Sequence, residues 1–518
     1  MPVRWAIPAA LASLVATGPV LAQDPLSAID WLDRQPPEHS DFGLVPDAAA
    51  LTHPRVEPPV TRNATRPEVT VLPLDAPSVD AVGLLPSHVT GFPQTLWQAS
   101  EAERLSDLII AQNVDGQPAM QSLLFALLLA EALPPANSKD RFLLARIDRL
   151  ISLGAVAQAA ELLALTDATK DQDLFARVLD LSLLSGPGDA ACGAMIKKPQ
   201  LAPNLSARVY CLAQSGQWDL AFTTLETGHA LGDIGSARYN LLLAFLDPEL
   251  VEDLPPLPPS RDLSPLEYRL HEAMGEPVPT QSLPRAYANA DLPGDSGWKA
   301  QIEAAERLVR SGALSEQRLF AIYALGKPSA SGGVWDRVQA VHALERALAV
   351  GQPDNVARAL REAWPVMSEA GLATAFAKTY APQLAQMPLT GTAAAISLEM
   401  ALLSPEYEAL SRQLDPAGLS QKFAVALAQG RPGDEPAPSA RARAIVSGFA
   451  STPPETLQGL LDQDKLGEVI LRAMSLAYQG HLGDESALAE ALATFRAVGL
   501  EDTARRTALQ ALLLTAEG

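Results

Sequence analysis

Basic residues are scarce in this chain: 39 Lys and Arg stand against 60 Asp and Glu, a formal charge of −21 over 518 residues. Binding nucleic acid needs clustered cations that release counterions from phosphates, and an anionic membrane surface draws on the same supply. Neither is expected as a partner. Histidine is scarce as well. The seven, His39, His53, His88, His229, His271, His342 and His481, never come closer than 14 residues, which leaves no H-x-H or H-E-x-x-H spacing for zinc. Each reads as a surface or loop residue, and no metal or cofactor is expected. A run of roughly 20 apolar residues, the length a bilayer demands, is missing too. The stretch Leu123 to Ala130 is bounded by Pro118 and by Pro134-Pro135 and, being apolar all round, reads as a buried helix.

Catalytic motifs are equally thin. Neither G-x-G-x-x-G nor G-x-S-x-G occurs. Ser296-Gly297-Trp298-Lys299 has the S-x-x-K form of penicillin-binding proteins without their S-D-N and K-T-G elements; Ser296 reads instead as the cap of a helix running to Arg310. Gly326-Lys327-Pro328 through Ser331-Gly332-Gly333 looks like a phosphate loop in the wrong order, with no strand before it, and reads as a connector. Soluble lytic transglycosylases carry their catalytic acid in a recognisable motif that the C-terminal third lacks. Glu468, Glu485 and Glu490 there fall on amphipathic patterns and read as solvated faces. No enzyme activity is expected.

What is present begins with an export signature. Met1 and Arg4 precede an apolar core from Trp5 to Val15, and Val20-Leu21-Ala22 is a small-residue cleavage site, the pattern of a secretory signal. Residues 1–22 are therefore expected to be cleaved after Ala22, giving a soluble periplasmic or secreted protein without stable membrane insertion. That segment holds one Arg and no acid, so its loss takes the charge from −21 to −22. Cys192 and Cys211 suit an oxidising compartment. Their midpoint falls in the Pro199 to Pro203 connection between helical patterns at 189–198 and 204–215. An antiparallel hairpin would set them opposite one another, and a disulfide is expected.

Residues 23–95 form a Pro-rich acidic arm, with twelve prolines between Gln23 and Pro93 and ten acidic against four basic residues. Such a segment cannot build a core of its own. Two pieces of it stand out. Ser27 to Arg34 has a capping box, Ser27-x-x-Asp30, with Leu26, Ile29 and Leu32 spaced by three beside Trp31. Val69 to Leu74 and Val79 to Leu85 are apolar stretches broken by prolines. Docking on the protein's own body is the expectation for both; for Leu26, Ile29, Trp31 and Leu32 the alternative is a helix-in-groove anchor for another protein.

From Thr95 onward the apolar spacing is three and four, as in Leu105, Leu108, Ile109 and Gln112, or Leu143, Leu144, Ile147, Leu150 and Ile151. The chain is expected to be all-α. Pro-rich breaks divide it into helical regions at 96–253, 263–430 and 439–518, with linkers at 254–262 and 431–438. Several units repeat a motif in which a Gly turn leads into a helix with Ala and Leu on its inner face. Leu153-Gly154 leads to Ala159, Ala160 and Leu163; Ser215-Gly216 to Ala221 and Leu225; Val350-Gly351 to Ala357 and Leu360; Gly312 and Gly480 are looser relatives. This resembles tetratricopeptide-like helical-hairpin repeats at the level of architecture. The intervals between these glycines, 62, 96, 39 and 129 residues, make it an irregular α-solenoid.

Charge is uneven along that body. Lys299 to Lys378 carries ten basic and eight acidic residues, and Arg307, Arg310, Arg358 and Arg361 occur as pairs three apart. They read either as helix-surface ion pairs with Glu303, Glu306 and Glu362 or as a docking patch for an acidic partner. Taken together, these features point to an exported periplasmic scaffold that binds another envelope protein or peptide, in an envelope or motility assembly. The competing reading is an envelope-acting glycan-binding protein or hydrolase with a site assembled across repeats.

Overall fold

The hairpin around Gly154 shows how the sequence builds the fold. Arg141–Leu153 and Val156–Ala164 are helices, and Gly154 between them takes φ +85°, a left-handed conformation that strains any residue with a Cβ. Ala159 and Leu163 are buried, while Ala160 faces outward. The arrangement recurs at Gly216, between Leu205–Gln214 and Trp218–Ala230, and at Gly351, between Val334–Val350 and Pro353–Glu369. Ala221, Leu225 and Leu360 are buried there, and Ala357 only partly. Gly480 departs from the expectation. It lies inside the helix Leu466–His481, and an added Cβ would stand 2.7 Å from Leu488 Cβ. It admits the close approach of Glu485–Ala497, and the turn itself is made at Gly483.

The structure, a computed structural model, describes residues 79–138, 141–251, 262–293, 296–328 and 330–514. Among these residues there are 24 α-helices and no strand, only the isolated parallel bridges Leu85–Ala130 and Glu101–Ala136. The fold is an all-α, irregular helical repeat. No helix among the described residues is long and apolar enough to cross a membrane. The signal segment 1–22, the Leu26, Ile29, Trp31 and Leu32 anchor, Val69 to Leu74 and nearly all of the 254–262 linker lie outside the described residues.

The end of the arm is built into the body. Leu84 and Leu85 are buried; the Leu85 N–H donates to Leu129 O, and Glu131 N–H to Leu85 O, each at 2.9 Å. Gly83 allows this, because a Cβ there would stand 2.2 Å from Glu131 N. These contacts lie beside the end of Pro118–Leu129, whose residues from Leu123 to Leu129 are all buried. Arg146 locks the joint. Its guanidinium donates to Leu128 O (2.7 Å), Val82 O (2.8 Å) and Ala130 O (3.0 Å), so a fully buried cation meets the electronegative end of the apolar helix. Burial lowers its pKa to about 10, with Asp80 opposing the shift. The carboxylate of Asp80 accepts from the Leu143 N–H at 2.6 Å.

The largest core draws on both ends of the described chain. Leu105, Ile109 and Leu123 share it with Ile470, Met474, Leu488 and Leu509. Gln112 donates to Leu471 O (3.1 Å), Gln510 accepts from the Ala119 N–H (2.8 Å), and the Gly467 N–H donates to Leu96 O (3.1 Å). Pro432, within the 431–438 stretch, is buried. A second core spans residues between Ile302 and Leu410, and a third residues between Phe175 and Leu270.

Three residues stand otherwise than their sequence pattern suggests. Ser296 does not cap a helix: Trp298–Val309 starts after Gly297 with no side-chain cap. Glu468 is not on a solvated face. It is 5% exposed and accepts from Arg472 at 2.7 Å and from Ser100 at 3.4 Å, which makes it part of the junction between the helix Leu466–His481 and the segment just before Ala102–Ala111. His271 is not a surface residue; it is 3% exposed within Pro265–Ala273.

Candidate partner-binding surfaces

Cys192 and Cys211 form a disulfide with Cα atoms 4.8 Å apart, joining Asp189–Lys197 to Leu205–Gln214. Asn204 caps the second of these helices by accepting from the Ala207 N–H at 2.9 Å. Both sulfurs sit in the third core, so this hairpin is a fixed platform for what packs on it, the helices Trp218–Ala230 and Ser236–Leu246.

Those two helices present an aromatic seam. Ala221, Leu225 and Gly228 face the core. Trp218, Phe222 and His229 follow one another at spacings of four and seven along the flank of that face. Phe245 lies 6.2 Å from Trp218 between ring centroids and 5.7 Å from Tyr210, and Tyr239 stacks on His229 at 4.1 Å. The His229 Nδ1–H donates to Ile234 O (3.0 Å), which fixes that ring. Trp218 is nonetheless 50% exposed, Phe222 38% and the following Leu231 71%. Large apolar groups clustered on a surface mark interaction sites more than scattered ones do.

The charge around the seam is acidic. Asp219 and Asp233 are exposed and make no ion pair with a described residue. Glu226 accepts from Tyr239 Oη (2.6 Å), a bond that raises the phenol pKa. Arg238 is held by Glu267 at 2.9 Å.

The four arginines singled out from sequence divide into two pairs. Arg307 donates to Thr280 O (2.9 Å) and to Leu283 O; Arg310 donates to Ala370 O (3.2 Å) and lies 3.9 Å from Glu306. Burial lowers both pKa values, with neighbouring arginines adding to it. These two guanidinium groups tie helices together. Glu303 pairs with Lys299 at 3.4 Å, and Glu306 takes a bidentate bond from Arg337 at 2.7 and 2.6 Å plus the Tyr323 hydroxyl at 2.7 Å. Arg358 and Arg361 are exposed on Pro353–Glu369. Arg310 reaches the far end of that helix, nine residues or about 13 Å along the axis from Arg361.

Sequence reading missed the seam. Its signal was there, in aromatic residues four apart at 218 and 222 followed by Tyr239 and Phe245. The Gly216 motif, however, drew attention to Ala221 and Leu225, the face turned inward. Among the described residues no group of three or more His, Cys, Asp or Glu is placed to hold a metal ion. The chain matches no family model, no curated protein and no solved structure, so what its surfaces bind follows from their own chemistry.

Proposed function

We propose that this protein is an exported periplasmic scaffold, and that the seam between Trp218–Ala230 and Ser236–Leu246 binds an apolar, basic segment of another envelope protein. One observation carries the reading: exposed Trp218 and Phe222 lie on a disulfide-bonded platform, with exposed carboxylates that make no ion pair with a described residue at Asp219, next to Trp218 in the chain, and at Asp233, past the other end of the helix. Interface energy concentrates in a few aromatic anchors, and an acidic rim selects and steers a cationic partner. The disulfide fits an oxidising compartment, and so does the expected cleavage after Ala22.

A second reading draws on the same residues. An exposed tryptophan beside a carboxylate is also suited to a sugar ring, with the apolar face stacked and the hydroxyls hydrogen-bonded. In-cell crosslinking and affinity capture, comparing wild type with Trp218→Ala/Phe222→Ala, separates the two. The scaffold reading expects one discrete protein partner, lost in the double variant and retained in Arg358→Gln/Arg361→Gln. A partner retained by the seam variant rules the seam out. Quenching of Trp218 fluorescence by peptidoglycan fragments, with no protein captured, favours the sugar reading.

A further inference from the structure

The connector between Glu316–Tyr323 and Val334–Val350 borders an open pocket of about 860 Å³ lined by Lys327, Pro328, Ser331, Gln339, His342 and Arg346 among others. That volume lies within the usual range for a small-molecule site. Gln339, His342 and Arg346 are spaced by three and four, which sets them on one face of the helix. Lys327 comes from the connector opposite.

The pocket is built rather than accidental. Gly326 seats the start of the connector on the Trp298 ring, which an added Cβ would approach to 3.1 Å, and Trp298 Nε1–H is itself fixed on Ile322 O at 2.8 Å. The Gly332 N–H fastens the other end to Asp336 Oδ1 at 2.8 Å. His342 is oriented by Nε2–H donating to Tyr323 O at 3.0 Å, which leaves Nδ1 as its second polar atom.

Charge decides what the pocket accepts. No carboxylate lines it. The acids nearest in the helix are engaged elsewhere, Asp336 by Gly332 and Glu345 by the Tyr380 hydroxyl at 2.8 Å. Lys327 and Arg346 are exposed and make no ion pair with a described residue. In a chain of charge −21, two uncompensated cations over one concavity focus a local positive potential. Arg offers a planar fork for an oxyanion and Lys a mobile point charge. The connector lacks the order of a nucleotide loop, so recognition here is by side chains.

We propose that this pocket binds a small anionic molecule through carboxylate or phosphate groups held by Arg346 and Lys327, with Gln339, Ser331 and His342 completing the hydrogen bonds. The site is remote in sequence from the aromatic seam and stands whether or not the seam binds a protein.

Calorimetric titration of the full chain at low salt tests it, with citrate and inorganic pyrophosphate as probes and glycerol as the uncharged control. The expected result is saturable one-to-one binding of at least one anion and none of glycerol. Affinity should fall on the order of 10-fold in Arg346→Gln and be lost in Lys327→Gln/Arg346→Gln. Both side chains are exposed, so thermal midpoints should stay at the wild-type value; Lys327→Arg should bind like wild type and guards against a loss caused by misfolding. The better probe distinguishes a carboxylate from a phosphate ligand. Two results overturn the proposal: no saturable binding of either anion, or an equal loss in Arg358→Gln/Arg361→Gln, which would mean diffuse charge screening.

Discussion

Asp180 sits partly buried on the helix Gln172–Ser185, near the Asp148–Arg177 ion pair. Burial raises its pKa from 3.8 to about 6, Arg177 pulls it down, and Asp148 adds to the rise. The folded protein therefore holds this proton more tightly than the unfolded chain. The resulting stabilisation is complete below about pH 4 and is lost as pH climbs through about 6. Asp180→Asn mimics the protonated acid. It should match wild type near pH 4 and exceed it by about 1 to 2 kcal/mol at pH 7, measured by urea denaturation at both pH values. Sequence held little of this residue-level detail. Glu468 lies on an amphipathic pattern that looks solvated, yet it is buried against Ser100, 368 positions away; His271, a lone histidine that reads as a surface residue, is buried within Pro265–Ala273. Arg307 and Arg310 looked like partners for nearby glutamates; Arg310 does pair with Glu306, and folding adds what the sequence did not show, the carbonyls of Thr280 and Leu283 for Arg307 and of Ala370 for Arg310.

At the scale of elements the sequence was far more legible, because local chemistry governs it. Gly154, Gly216 and Gly351 mark turns where backbone conformation demands glycine, and Cys192 and Cys211 fall symmetrically about a turn that Pro199 and Asn204 fix. Gly480 misled because a glycine needed for close helix approach has the same letter as one needed for a turn. The disulfide should matter to its hairpin. Cys192→Ala/Cys211→Ala should lose about 3 kcal/mol by the chain-entropy relation, read as a lower urea midpoint. Reduction of the wild type should expose two thiols where none titrates before.

At the scale of the whole molecule, the joint between residues 96–112 and the helix Leu466–His481 could not be read from sequence, since nothing local encodes which distant faces meet. It depends on close approach at Gly467, where an added Cβ would lie 2.4 Å from the Trp97 ring. Gly467→Ala should cost about 1 to 3 kcal/mol by overpacking. Gly459→Ala, in open space on Glu455–Leu461, should be neutral or gain about 0.5 kcal/mol from helix propensity; unfolding curves of the two variants check the contrast. Hydrogen exchange of the full chain, alone and with its captured partner, tests partner binding at the seam most directly. Slowed amides should cluster in 218–230 and 236–246, with the rest of the fold unchanged. Protection confined to other helices, with those two exchanging as in the free protein, would contradict the account.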